Sequence, residues 1–231
     1  MAQPSTTPPP PPQGEAIEVL SPWREGWRVF RSNKAALVGL ALLALLILTM
    51  VFGPSLYGVA PMDIASAPFV EPFTDPEVWL GTDYLGRDVL AGLLIGGRAT
   101  VLVGLSAAAV AVSIGIGIGA CAGFFGGWAD MLLSRLTELF QVLPALLFAM
   151  VLVTLFTPSL ETVIVAIGLV AWTGTARLAR AEFIRLRGME FAQAARAMGA
   201  GAWRLMAREI LPNALPPLIV SASLIVGSAI L

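Results

Sequence analysis

The 231-residue chain is 57% hydrophobic and only 13% charged, with a mean hydropathy of +0.84, which excludes an ordinary water-soluble domain, where about half of the residues are apolar. Its 14 Lys and Arg against 15 Asp and Glu leave a net charge of -1, so no global field gathers nucleic acid and none is expected as a partner. Histidine is absent and Cys121 is the single cysteine, which removes histidine metal sites, internal disulfides and thiolate clusters; the single lysine, Lys34, follows Asn33 rather than a glycine, so there is no phosphate-binding loop, no cofactor or metal is expected, and any ATP is bound by another subunit.

Met1 to Leu20 carry the run Pro8 to Pro12 among Ser, Thr and Gln, a composition that stays extended and buries nothing, so residues 1–22 are assigned to a disordered cytoplasmic tail. Ser21 and Pro22 suit the cap and first turn of a helix. Trp23, Trp27 and Phe30 then fall on one face with Arg24, Arg28 and Arg31 beside them, the pattern of a short helix lying on membrane lipid. Ala35 to Phe52 contain no charge and are long enough for a first span of ~30 Å of hydrocarbon, longer than the core of a cleaved signal. Residues 23–52 are therefore read as interfacial helix plus anchor.

Residues 53–98 form a polar interval with six acidic residues, Asp63, Glu71, Asp75, Glu77, Asp83 and Asp88. A second span is expected from Thr100 to Phe125, with Gly115, Gly119 and Gly123 stacked on one face so that a neighbouring helix can approach closely. Gly126 to Arg135 read as a tight polar turn. A third span follows to about Phe156 and carries Pro144, which should kink it. The fourth span is expected from Thr162 to Ala176. Residues 177–209 hold seven arginines against Glu182, Glu190 and Glu209, and a last apolar run extends from Ile210 to Leu231. Residues 99–231 thus make a core with a charged loop. The fold class is all-α, a polytopic transmembrane helix bundle with five visible spans.

All basic residues except Arg87 and Arg98 fall on one side of this topology. The positive-inside tendency then puts the N-terminus and the 177–209 loop in the cytoplasm and the acidic interval outside.

Two stretches are more specific than hydropathy. In the first, Leu80 to Leu90, Asp83 is expected to cap a helix beginning near Tyr84; Gly81 and Gly86 allow close turns beside Thr82, and Arg87 and Asp88 can pair with groups of the acidic loop. In the second, Phe191, Ala194, Ala195 and Met198 give one helix an apolar face, and Gly199-Ala200-Gly201 permits a sharp turn. A second helix, Ala202 to about Glu209, presents Trp203, Met206 and Ile210. Such a helix pair fits another protein's groove, and an arginine-rich helix lying on lipid fits its amphipathicity equally well.

Together the two stretches resemble the permease subunits of bacterial ABC importers for dipeptides, oligopeptides and nickel, the C-type permease in particular, over Trp23 to the end. Gln193-Ala194-Ala195, Gly199 and Leu211-Pro212 are similar in spacing to the family's cytoplasmic signature; Gln193 stands where Glu is usual and Glu209 where Ile is frequent. The resemblance implies a non-enzymatic, multi-pass protein of the bacterial inner membrane that pairs with a homologous permease, two cytoplasmic ABC ATPase subunits and a periplasmic solute-binding protein. It implies that the helix pair docks on an ATPase and that the Gly81 to Asp88 region looks toward the binding protein, although its residues favour folding the loop onto the bundle. Family members have six spans, so a chain stopping in its fifth apolar run is expected to be a fragment. An ion-coupled secondary transporter or channel is the rival, and it needs ionisable residues within spans; here Glu138 lies near the start of the third span and Glu161 in a loop. An intramembrane enzyme would need a nucleophile and base constellation that these residues lack.

Overall fold

The computed structural model describes residues 22–230; the proline-rich tail, the Ser21 cap and the side chains of Trp23 and Arg24 lie outside the described residues. Every regular element among them is helical. Two compact units divide the chain, residues 1–49 and 50–231.

In the first unit, α1 spans Pro22–Ser32 and is followed after Asn33 by the start of α2, Lys34–Tyr57, whose residues from Met50 onward belong to the second unit. The Asn33 side chain accepts from the Ala36 amide at 3.2 Å and so starts the second helix. Trp27 and Phe30 stack with ring centroids 5.7 Å apart, which places the two aromatics on one face as the spacing predicts. No residue of α2 is buried, although it carries no charge after Lys34.

The second unit contains α3 (Val89–Phe125), α4 (Gly127–Val142), α5 (Ala145–Leu155), α6 (Leu160–Arg187), α7 (Glu190–Ala197) and α8 (Ala202–Arg204), which runs through a π-helical turn at Leu205–Ile210 into α9, Leu211–Ile230. Four helical stretches are long and apolar enough to cross a membrane: α2, α3, α6 and the continuous Ala202–Ile230; α4 and α5 make a fifth as a pair bent by 88°. The all-α helix bundle stands, with four spans and a fifth where the bent α4–α5 pair is counted as one.

Most of what α3 buries is alanine and glycine. The seam between α3 and α6 is built from Ala107, Ala111, Gly115, Gly119 and Gly123 against Trp172, Thr175, Ala176, Ala179 and Phe183, while large aliphatic side chains such as Leu102, Leu105, Leu147 and Val151 point outward. This inversion suits lipid, which rewards close backbone packing rather than removal of leucine from its surroundings. A Cβ added at Gly115 would lie 2.6 Å from the Thr175 Cβ, and one at Gly123 2.5 Å from the Arg180 carbonyl. Gly117 faces away, with nothing within 4 Å.

Several expected boundaries move. The second span begins at Val89, eleven residues before Thr100, because Asp88 supplies a cap and a single arginine, Arg98, does not interrupt a helix. The Gly126 to Arg135 segment is not a turn: the chain reverses at Gly126 and Gly127, both at positive φ (68° and 52°), and Asp130 sits in the first turn of α4, where a carboxylate complements the helix dipole. Pro144 breaks the third span instead of kinking it; Leu143 and Pro144 are extended, at ψ 127° and 115°, as the residue before a proline prefers. The fourth span runs on to Arg187, so the first part of the charged stretch is helix, not loop. A π turn over Leu205–Ile210 precedes Pro212, and its wider winding leaves room for the proline ring beside the carbonyl of Arg208.

Candidate functional site

The α7 segment closes with a Schellman motif, a helix end in which two amides reach back to carbonyls left free by the last turn. The Ala200 amide donates to the Ala195 carbonyl and the Gly199 amide to the Arg196 carbonyl, both at 3.0 Å, with Gly199 at φ 86°. That left-handed conformation is where glycine alone carries no steric cost, and Gly201 follows in extended backbone before α8.

One core lies beneath this turn. Ala192 and Ala195 of α7 are buried with Ala120 and Phe124 from the end of α3, Ala179, Phe183 and Leu186 from the end of α6, Leu205, Met206 and Ile210 of the π turn, and Ala214 and Leu218 of α9. Arg196 lies over the Phe124 ring at 6.0 Å, and Arg187 Nη1 donates to the Phe124 carbonyl at 2.9 Å, satisfying an orphan acceptor at the end of α3. The Gln193 amide nitrogen donates to the Gly188 carbonyl at 2.9 Å, across the α6–α7 corner; a carboxylate at this position could not make that bond.

The expected partner-facing surface is thereby redistributed. Ala195, Met206 and Ile210 are core residues, because the helix pair buries one face against the bundle. Ala194, Met198 and Trp203 are exposed, Met198 at 82% and Trp203 at 73%. Leu211 is partly buried against the same core and Pro212 is exposed.

The Gly81 to Asp88 stretch knits the 58–88 loop. Asp83 does not cap a helix at Tyr84, which begins none; its Oδ1 accepts from the amides of Leu85 (2.8 Å) and Arg87 (2.9 Å), closing a tight turn. Asp88 is the cap of α3: its Oδ1 accepts from Leu90 at 2.8 Å and Ala91 at 3.2 Å, and its Oδ2 accepts from the Tyr57 hydroxyl at 2.5 Å. Thr82 is buried, accepts from the Val70 amide at 2.9 Å and donates to the Ala67 carbonyl at 2.6 Å. Gly81 and Gly86 have φ of 74° and 76°, and a side chain on either would strike the carbonyls of Val70 and Ser66. Among the described residues Arg87 joins no ion pair, and Asp88 is held by a phenol rather than by an arginine.

Three features of the site have no local sequence signal. Tyr57 lies 31 positions from Asp88. Arg180 and Asp130, 50 positions apart, form a two-pronged ion pair from α6 to α4, with Arg180 Nη2 2.7 Å from Oδ2 and Ser134 on the same carboxylate at 3.1 Å. Arg187 on Phe124 spans 63 positions. Among the described residues no group of His, Cys, Asp and Glu could hold a metal ion.

The two motifs sit at the two ends of one helix: Asp88 starts α3 and Phe124 ends it. Its 37 residues extend about 55 Å at ~1.5 Å each, more than the ~40–45 Å of a bilayer with its headgroups.

Comparison with known proteins gives a consistent result. The family described as binding-protein-dependent transport system inner membrane component matches residues 115–231, and the N-terminal TM domain of oligopeptide transport permease C matches residues 21–76. The chain is 37% identical to the dipeptide transport system permease protein DppC of Alkalihalophilus pseudofirmus, over 100% of this chain and 76% of that protein. It is 33% identical to the oligopeptide transport system permease protein OppC of Bacillus subtilis, over 91% of this chain and 69% of the relative, and 38% identical to OppC of Escherichia coli K12, over 93% and 72%.

Proposed function

The chain belongs to the binding-protein-dependent transport system inner membrane components, and from that premise we propose that it works as the permease subunit of a peptide importer, with its N-terminus and α7 in the cytoplasm and the 58–88 loop outside. It forms half of the pathway with a homologous permease. Two cytoplasmic ABC ATPase subunits supply the energy, and a periplasmic binding protein delivers the solute. Peptides are the solute class because the relatives are named for dipeptide and oligopeptide transport.

The observation that carries this reading is the shared core of α7 with the ends of α3 and α6 and the start of α9. A push on α7 is a push on three spans at once, since packed interiors transmit displacement rather than absorb it. Closure of the ATPases displaces α7 as a rigid body and biases the bundle between two packings. Gln193, Ala194, Met198 and Trp203 offer the exposed face; Ala195, Gly199, Leu211 and Pro212 hold it in place.

On the outer side, Phe69, Phe73, Trp79 and Tyr84 are exposed by 75%, 82%, 61% and 66% on a loop that faces water. Phe69 and Phe73 also hold positive φ, 59° and 62°, a conformation rare for bulky residues and concentrated at functional surfaces. These rings are the docking surface for the binding protein, while Gly81, Thr82, Asp83, Gly86, Arg87 and Asp88 build the loop that displays them.

In the assembled complex, with Cys121 replaced by alanine, a cysteine at Ala194 crosslinks to an ATPase subunit and a cysteine at the buried Ala195 does not. Labelling of position 194 by lipid-phase probes alone would overturn the proposal.

A further inference from the structure

The break between α4 and α5 leaves a helix start inside an apolar span. The N-cap of α5 is Pro144, which makes no side-chain cap, and only the Phe148 amide, bonding back to the Pro144 carbonyl at 3.0 Å, begins the helical ladder. Among the described residues the amides of Ala145, Leu146 and Leu147 have no partner, in a setting where lipid offers none. The elbow is nonetheless a built corner: Phe140 of α4 meets Phe148 of α5 edge-on at 5.7 Å and Trp172 of α6 at 5.4 Å.

Beside these aromatics lies a cavity of about 170 Å³, lined among others by Gln141, Ala145 and Thr173. Thr173 is only 9% exposed. Thr49, Thr100 and Thr137 each donate their hydroxyl to the carbonyl four residues back, as threonine in an apolar helix normally does. The Thr173 hydroxyl makes no such bond and has no partner among the described residues, and Thr173 lines the same cavity as Ala145, the first residue of α5. No lysine or arginine lines this cavity.

The geometry points to the α4–α5 elbow as a transient contact for the carboxylate of the solute in transit, held by the free Ala145 amide at the start of α5, by Thr173 and by the Gln141 amide. A helix start favours an anion, and neutral donors without a fixed cation give the weak hold that a pathway needs so that the solute leaves again. This inference rests on the transport role proposed above and adds the chemical group recognised within the chain.

The test uses the complete complex in proteoliposomes, with trialanine and its C-terminal amide as probes at saturating binding protein. Thr173→Val is nearly isosteric and removes the hydroxyl; Thr173→Ser keeps it. The Val variant lowers the uptake rate of trialanine by about tenfold and that of the amide by less than about threefold, the difference between a hydrogen bond to a charged and to a neutral acceptor, while the Ser variant restores both. Equal losses for the two probes, or no loss for trialanine, would overturn the inference. A complex that carries no peptide at all would sink the transport role instead. The elbow is then judged by a cysteine at Leu143, which lines the cavity, in the Cys121→Ala chain: acetate protects it from a neutral thiol reagent more than acetamide does, and equal protection overturns the inference by itself.

Discussion

The α3–α6 seam makes a prediction whose sign changes within six residues. At Gly123 an added methyl would lie 2.5 Å from the Arg180 carbonyl oxygen, 2.8 Å from the Phe183 Cβ and 3.1 Å from the Arg180 Cα. None of these atoms can rotate aside, so an ordinary van der Waals distance of about 3.5 Å requires the helices to part by about 1 Å. Overpacking of this kind costs about 1–3 kcal/mol, offset by the ~0.5–1 kcal/mol that alanine gains over glycine within a helix. Gly123→Ala is therefore expected to destabilise by about 1–2 kcal/mol. Gly117→Ala, on the same helix with nothing within 4 Å, should instead stabilise by about 0.5–1 kcal/mol. Unfolding of the purified chain in mixed micelles by sodium dodecyl sulfate, followed by tryptophan fluorescence, separates the two. Equal destabilisation by both substitutions would refute the close-packed seam.

Two further perturbations probe the ends of α3. Gly199→Val forces a β-branched residue into the left-handed position of the α7 turn and should cost at least ~1–2 kcal/mol; because nothing lies within 4 Å of an added Cβ, Gly199→Asn, which tolerates that conformation, should recover most of it in a thermal melt. Asp88→Ala removes both the α3 cap and the acceptor of the Tyr57 hydroxyl, and should cost about 1–2 kcal/mol for the cap alone. Tyr57→Phe added to Asp88→Ala should have almost no further effect, so a double-mutant cycle of loop proteolysis should show a coupling of about 1 kcal/mol.

Hydropathy and glycine spacing carried far because each expresses a one-dimensional rule. The α2 anchor is legible in its uncharged length, the α3–α6 seam in glycines four apart, and the α7 turn in Gly199, since only glycine enters that conformation freely. Hydropathy puts the start of the second span where charge ends, at Thr100, whereas Asp88 starts the helix from its cap and α3 is longer than the bilayer is thick. The assignment of Asp83 as a helix cap failed for a related reason: an aspartate followed by free amides closes a tight turn as readily as it starts a helix, and only the fold decides between them. The apolar face of Ala194 and Ala195 does not tell a docking surface from a packed one, because small residues serve both; the fold buries Ala195 and leaves Ala194 exposed. Tyr57, Arg187 and the Asp130–Arg180 pair depend on contacts between distant segments, for which no pattern in the chain exists.

The π turn at Leu205–Ile210 turns the spacing between Gly199 and Leu211 into a matter of angular phase. Leu205 and Ile210 lie five apart and both face inward, and Ile210, Ala214 and Leu218 continue that stripe at intervals of four. Deleting one residue from this stretch would shorten the chain by little but rotate everything before it by about 100° about the axis, swinging Leu205 and Met206 out of their seat and carrying α7 off its footing. The length of that spacer is thus governed like the tooth count of a gear, where one tooth fewer leaves every part intact and none of them engaged.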